Sequence, residues 1–332
     1  MESEDLLINR VVRALRGRTM SGIGSLRLGV GDDAAVVRSA RGLDWVVSCD
    51  AFLEGVHFLA EKHPPDSIGY KALARATSDL AAMGAAPRLF LLTLAIPLSR
   101  TGRWLDRFLA GMSRAARELE MQLAGGDTTG SDKVTLSVTV LGQIAAGRAL
   151  TRSGARPGDL VYVSGRLGEA KLGLDLIRSG DFRRDAVSNI LQPHLYPKIR
   201  VELGMWLSRR RVASAGIDIS DGLSTDLTRL VQASRVGAVI YSERIPTVRV
   251  PESIRDRFKR RNNRLEMALH GGEDYELLFT VPPRRAKFLK SAPQDSELRC
   301  IGEITRDRRI LLVDSRGKAR RLKPGGWDPF RS

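Results

Sequence analysis

Gly29-Val30-Gly31-Asp32-Asp33-Ala34-Ala35-Val36 is a glycine turn that ends in two adjacent carboxylates and opens an apolar run. Gly29, Gly31 and Ala34 satisfy the G-x-G-x-x-G/A spacing of a dinucleotide-binding turn. The aspartates argue against that use, because a pyrophosphate against these amides would face like charge unless a cation separates them. A tight turn with two solvated acids is the plain alternative. The device recurs, however: short apolar strands run into Asp50, Asp127, Asp218 and Asp221. Carboxylates at the ends of neighbouring strands cannot converge as bare anions without large pKa shifts, so their convergence implies cations.

Around this octet, 332 residues suit two domains of roughly 100–200 residues each. The turn-rich stretch Leu150-Thr151-Arg152-Ser153-Gly154-Ala155-Arg156-Pro157-Gly158-Asp159 separates the halves. The expectation is an α+β protein with domains 1–148 and 149–332. No apolar run approaches the roughly 20 residues that span a bilayer, and Met1-Glu2-Ser3-Glu4-Asp5 is acidic where a signal peptide is basic. Cys49 and Cys300 form no disulfide framework or metal knuckle. These features point to the cytoplasm. The formal charge of +16 raises nucleic-acid binding as a rival. Its arginines cluster at 255–264 and 306–323 with no zinc finger, helix-turn-helix or aromatic RNP pattern, so a solvated basic face explains the charge more simply.

Along the chain, residues 4–15 carry helical apolar spacing, and Gly22 to Leu28 read as a glycine loop. Leu43 to Asp50 read as a strand ending on a carboxylate, followed by Glu54-Gly55-Val56-His57-Phe58, where His57 is either a half-buried strand histidine or a ligand contact. A helix starts at Pro65-Asp66 and stops at Gly84. Asp79 then lies at its C-terminal end, where the helix dipole disfavours an anion, so a salt bridge or a metal should be near it. Leu89 to Ile96 form a strand, and Trp104 to Leu119 a helix. Gly125-Gly126-Asp127-Thr128-Thr129-Gly130 read as a loop whose amides can approach phosphate while Asp127 offers oxygen to a hard cation.

In the second half, Leu160 to Ser164 read as a strand and Leu167 to Ile177 as a helix. Asp218-Ile219-Ser220-Asp221-Gly222-Leu223 hands a strand over to a helix, with Ser220 and Asp221 at capping positions. Capping does not account for Asp218 as well. Gly271-Gly272-Glu273-Asp274-Tyr275-Glu276 is a glycine turn with three acids before a strand. Arg299 to Ile304 and Arg309 to Asp314 are strands, followed by a basic turn. Trp327, after Gly325-Gly326, is a packing anchor or a ligand platform. An oxygen-only ligand set without clustered cysteine or histidine suits magnesium shared with substrate phosphates. With no Walker lysine spacing, no kinase catalytic loop and no Ser-His-Asp arrangement evident in sequence, an ATP user here would rely on glycine-loop amides, arginine and several metal ions.

Gly31-Asp32-Asp33-Ala34-Ala35, Ser48-Cys49-Asp50 with Glu54-Gly55-Val56-His57-Phe58, Ser78-Asp79-Leu80-Ala81-Ala82-Met83-Gly84-Ala85, Gly125-Gly126-Asp127-Thr128-Thr129, Leu150-Thr151-Arg152, Asp218 to Leu223 and Gly271 to Leu277 occur in one order across nearly the whole chain. Together they resemble the thiamine-monophosphate kinase family, within the superfamily of aminoimidazole ribonucleotide synthetase, selenophosphate synthetase and the hydrogenase-maturation dehydratase. The resemblance implies a two-domain aminoimidazole ribonucleotide synthetase-like fold and a homodimer joined through its N-terminal sheets. It implies ATP-dependent phosphorylation of thiamine monophosphate to thiamine diphosphate, by direct in-line transfer without a general base. It assigns magnesium to Asp32, Ser48, Cys49, Asp50, Asp79, Asp127, Asp218 and Asp221, ATP to Gly126, Asp127, Arg152 and Ser220, and the thiamine substrate to His57, Glu273 and Trp327.

Two departures stand out. Ser48-Cys49-Asp50 replaces the family's usual Thr-Thr-Asp, so only the backbone carbonyl of Cys49 remains to meet a metal. Leu109 occupies a helical position where the family often has an aromatic near adenine. Another ATP-driven reaction of the superfamily is the nearest functional rival.

Overall fold

The computed structural model describes residues 4–15, 26–39, 42–180, 184–252, 254 and 264–330. Residues 1–3 of the acidic start, 22–25 of the glycine loop and 255–263 of the basic cluster lie outside them. Helix α1 spans Glu4–Leu15. Strands β1 (Leu26–Leu28), β2 (Ala35–Arg38), β3 (Leu43–Leu53), β4 (Ala86–Ile96), β5 (Gln122–Gly130) and β6 (Thr135–Ala145) form one sheet in the order β1-β2-β3-β6-β4-β5. All neighbours are antiparallel except β4 and β5.

Alternation along β3 sends Asp44, Val46 and Phe52 into the core, so Ser48 and Asp50 share their face. Cys49 points the other way: its sulfur lies 3.3 Å from the hydroxyls of Ser137 and Thr139 on β6. The inward face is covered by α2 (Pro65–Ala82) and α3 (Arg103–Glu118). Most of α2 is buried, on more than one side, because it also meets the second half of the chain. Gly69 and Gly111 let α2 and α3 touch backbone to backbone: a Cβ on Gly69 would lie 1.9 Å from the Phe108 carbonyl oxygen, and one on Gly111 would lie 1.8 Å from that of Asp66.

The second sheet contains β7 (Leu160–Val163), β8 (Ala215–Ile219), β9 (Gly237–Tyr241), β10 (Glu276–Val281), β11 (Arg299–Thr305), β12 (Ile310–Val313) and β13 (Ala319–Arg321). Its order is β13-β12-β9-β11-β7-β10-β8. Strands β8 and β10 are buried throughout. Helices α4 (Glu169–Ser179), α5 (Arg184–Leu195), α6 (Val201–Arg210), α7 (Leu223–Ser234) and α8 (Arg264–His270) accompany it. Apolar side chains of α7 and α8 close one core over this sheet. Helix α2 contacts α5, α6 and β8, which places it between the two sheets. No helix among the described residues is long and apolar enough to cross a membrane.

Four sequence expectations are corrected. Leu26–Leu28, expected to end the glycine loop, form strand β1, paired to β2. Gly125–Gly130 is not a loop but most of β5; its glycines lie extended, and β4 supplies the pairing that its own composition does not encode. The basic turn near the C-terminus contains the short strand β13, paired to β12. Neither Ser220 nor Asp221 caps α7: Gly222 is the N-cap without a side-chain bond, and Asp226 folds back to accept from the amides of Asp221 (3.1 Å) and Gly222 (3.0 Å).

Candidate active site

Helix α2 carries the polar residues about which the site is built. Its Ser78 hydroxyl donates to Asp218 at the end of β8 (2.7 Å), while Asp79 accepts from the Ser48 hydroxyl on β3. Asp33 approaches from the glycine turn. Carboxylate oxygens of Asp33, Asp79 and Asp218 all lie within 4.8 Å of one another. Burial raises all three pKa values, Asp33 to about 6, Asp218 to about 7 and Asp79 well above its ordinary range, with neighbouring carboxylates adding to the rise. Arg152 donates twice to Asp33 Oδ1, from Nη2 at 2.6 Å and Nε at 3.0 Å. Asp33 Oδ2 is left buried with no partner. An oxygen-only cluster with one orphaned carboxylate oxygen fits a hard divalent cation.

The remaining expected acids surround this group. Asp32 accepts the Arg152 backbone amide at 3.1 Å. Asp50 lies 2.9 Å from the Arg75 guanidinium on α2. Asp221 is paired with Arg229. Asp127 is not brought into the cluster. The register runs Asp50, Val138, Leu92, Gly126 across four strands, which sets Asp127 about 14 Å from Asp50 at roughly 4.8 Å per strand. It is exposed on β5, where Gly126 lies against β4 so closely that a Cβ would meet the Leu92 carbonyl at 1.8 Å.

The three residues expected at the thiamine substrate come together at the other end. The ring centroids of His57 and Trp327 are 5.5 Å apart. His57 Nδ1 accepts the Leu53 amide (3.0 Å), and burial lowers its pKa to about 4, so the ring is neutral. Glu273 is near enough to oppose that fall. The Glu273 amide donates to the Ser220 carbonyl (2.7 Å), and that of Trp327 to the Asp221 carbonyl (3.0 Å), so both segments hang from the same strand end. Gly325 and Gly326 donate to the Ser224 and Thr225 hydroxyls at 3.2 and 3.1 Å. The Trp327 side chain remains 41% exposed, which frees a ring face while the backbone is anchored. Leu109 is also exposed.

With this geometry in place, kinship can be read over the full length. Family models described as AIR synthase related protein, N-terminal domain and C-terminal domain, match residues 31–144 and 156–314. Thiamine-monophosphate kinase of Escherichia coli (strain K12) is 37% identical over 309 residues, 92% of each chain. That of Bacillus subtilis (strain 168) is 36% identical over 316 residues, 92% of this chain and 94% of its own. The chain belongs to the thiamine-monophosphate kinase family. The solved structure of AaThiL complexed with AMPPCP and TMP superposes with a TM-score of 0.83 at 31% identity, covering 99% of this chain and 97% of that one.

Several residues of the site escape sequence reasoning. Asp33 is one of the adjacent carboxylates, yet only Asp32 receives a role. Lys71 and His194 meet at Glu273 from distant segments, and only the helical stripe Lys71, Arg75, Asp79 hints at the first. A Ser-His-Glu series does exist, with Ser224 Oγ 2.8 Å from His270 Nδ1 and His270 Nε2 3.3 Å from Glu266. Ser224 is fully buried and accepts the Gly325 amide, so the series anchors the Trp327 segment and presents no nucleophile.

Proposed function

We propose that the chain uses ATP to phosphorylate thiamine monophosphate to thiamine diphosphate by direct in-line, magnesium-assisted transfer. The observation that carries this reading is the end-to-end likeness to AaThiL complexed with AMPPCP and TMP. The clustered acids and the His57–Trp327–Glu273 group support it. Asp33, Asp79 and Asp218 would hold one Mg2+; Asp32, Asp50, Asp127 and Asp221, with Ser48 and the Cys49 carbonyl, would hold others. When bound, the ions neutralise the triphosphate and the charge developing on the transferred group. Gly126, Asp127 and Ser220 position ATP. Arg152, which lies on Asp33, would contact an ATP phosphate. His57, Glu273 and Trp327 orient the thiamine.

The nucleophile is a phosphate oxygen already ionised near neutral pH, so no general base is required. Catalysis then rests on positioning and charge compensation. The same reading divides the chain into a nucleotide- and metal-binding, dimerising unit at 1–148 and a second α+β unit at 149–332. It places a homodimer contact on the first sheet, whose edge strand β5 is exposed along its whole length and carries Leu123 at the surface. The free thiols of Cys49 and Cys300 accord with a cytoplasmic setting. Phosphorus NMR with ATP, Mg2+ and either thiamine monophosphate or free thiamine tests the reaction. A diphosphate ester with ADP from the monophosphate alone is the expected result; ATP left intact, or hydrolysed only to free phosphate, sinks the assignment.

A further inference from the structure

Lys71 lies mid-way along α2 and is only 2% exposed, a costly place for an ammonium group unless it is paired. Its Nζ is 2.9 Å from Glu273 Oε2 and 3.3 Å from His194 Nδ1. His194 Nδ1 is 3.2 Å from that same oxygen, and its Nε2 is 3.0 Å from His63 Nε2. The tautomers can run either way along the series: with the Leu59 amide donating to His63 Nδ1 (3.1 Å), His194 Nδ1–H faces Glu273, and with His63 Nδ1–H donating to the Leu59 carbonyl (3.0 Å), His194 Nδ1 accepts from Lys71; Lys71 faces Glu273 in either arrangement. Both imidazoles are neutral in each, in keeping with burial that lowers the pKa of both.

The supported loop does not rest in its preferred shape. Glu273 and Tyr275 hold left-handed backbone at φ 70° and 50°, which costs about 1 kcal/mol or more per residue and persists only under outside restraint. Both closest approaches fall on Oε2, and the Glu273 side chain keeps 22% of its surface open. We propose that Lys71, backed by His194 and His63, is a positioning residue that holds Glu273 so that its carboxylate meets a donor on the bound thiamine. This rests on the reading that Glu273 contacts that substrate. Lys71 itself touches no substrate; it acts through the carboxylate.

The test uses the full chain, varying thiamine monophosphate at saturating ATP and Mg2+. Lys71→Met should raise KM for thiamine monophosphate at least tenfold while KM for ATP stays within twofold, and Lys71→Arg should recover most of the loss. Glu273→Gln should give the same defect, with the double variant no worse than Glu273→Gln alone. An unchanged KM in Lys71→Met beside a raised one in Glu273→Gln, or additive losses in the double variant, overturns the brace. An unchanged KM in Glu273→Gln instead removes the substrate contact beneath it. If Lys71→Met does not fold, His194 decides the matter. His194→Asn keeps a hydrogen-bonding group in place of Nδ1 and should hold KM within threefold, His194→Leu should not, and equal effects refute the proposal.

Discussion

Replacing Asp218 with Asn should make the metal-free protein more stable while destroying its response to magnesium. Burial raises the Asp218 pKa from 3.8 to about 7. A carboxyl raised in this way costs stability as pH climbs from the lower value through the higher, because the unfolded chain releases its proton first. The interval is worth ~4 kcal/mol at pH 8 and less than half of that at pH 5, at about 1.36 kcal/mol per pH unit. Asn removes that cost, and its carbonyl oxygen can still accept from Ser78. With some loss from imperfect fit, a net gain of ~2–4 kcal/mol is expected at pH 8, or roughly 4–8 °C at ~2 °C per kcal/mol. The assay is thermal unfolding of both proteins in EDTA and in excess Mg2+, at pH 8 and pH 5. In EDTA the variant should melt higher at pH 8, with the gap more than halved at pH 5. In Mg2+ the parent should rise and the variant should not. A variant that melts below the parent in EDTA at pH 8, or gains as much from Mg2+, refutes the reasoning.

Gly126→Ala would drive a methyl group into the Leu92 carbonyl, so ATP affinity should fall at least tenfold by calorimetry; a Kd within twofold of the parent counts against β5 as the nucleotide platform. Trp327→Ala should raise KM for thiamine monophosphate about tenfold or more and leave ATP untouched, with melting nearly unchanged because the segment is held by its backbone. Burial lowers the pKa values of His57 and His63 to about 4. Their protons bind the unfolded chain first, so stability should decline as pH falls from 6.5 towards 4. Imidazole titration by NMR checks this directly, and midpoints near 6.5 would contradict it.

The acid-tipped strands are legible in sequence because apolar alternation and a terminal Asp are local signals. So is the orientation of Cys49, since a strand that points Asp50 inward must point its neighbour out. Strand β5 is illegible for the opposite reason: Gly125-Gly126-Asp127-Thr128-Thr129 has the composition of a loop, and β4 imposes its extended form. Asp226 as the source of α7 capping is hidden because its carboxylate returns from within the helix to a terminus that Gly222 leaves bare. Lys71 looks like any solvated helix lysine until α5 and the Glu273 loop close over it. The metal-binding potential of Asp33 is a matter of assembly, since its partners come from α2 and from the far end of β8.

Helix α2 holds Lys71, Arg75 and Asp79 four residues apart on one stripe. At 1.5 Å per residue the first and last are about 12 Å apart along the axis. The helix thus works as a fixed gauge between Glu273 and the acid cluster, clamped laterally where Gly69 meets the Phe108 carbonyl and Gly111 that of Asp66. Inserting a single residue between Lys71 and Asp79 would turn one end by about 100° relative to the other and misdirect either the brace or the acid cluster. Between Lys71 and Asp79 the helix can therefore neither gain nor lose a residue without separating Glu273's partner from the acid cluster.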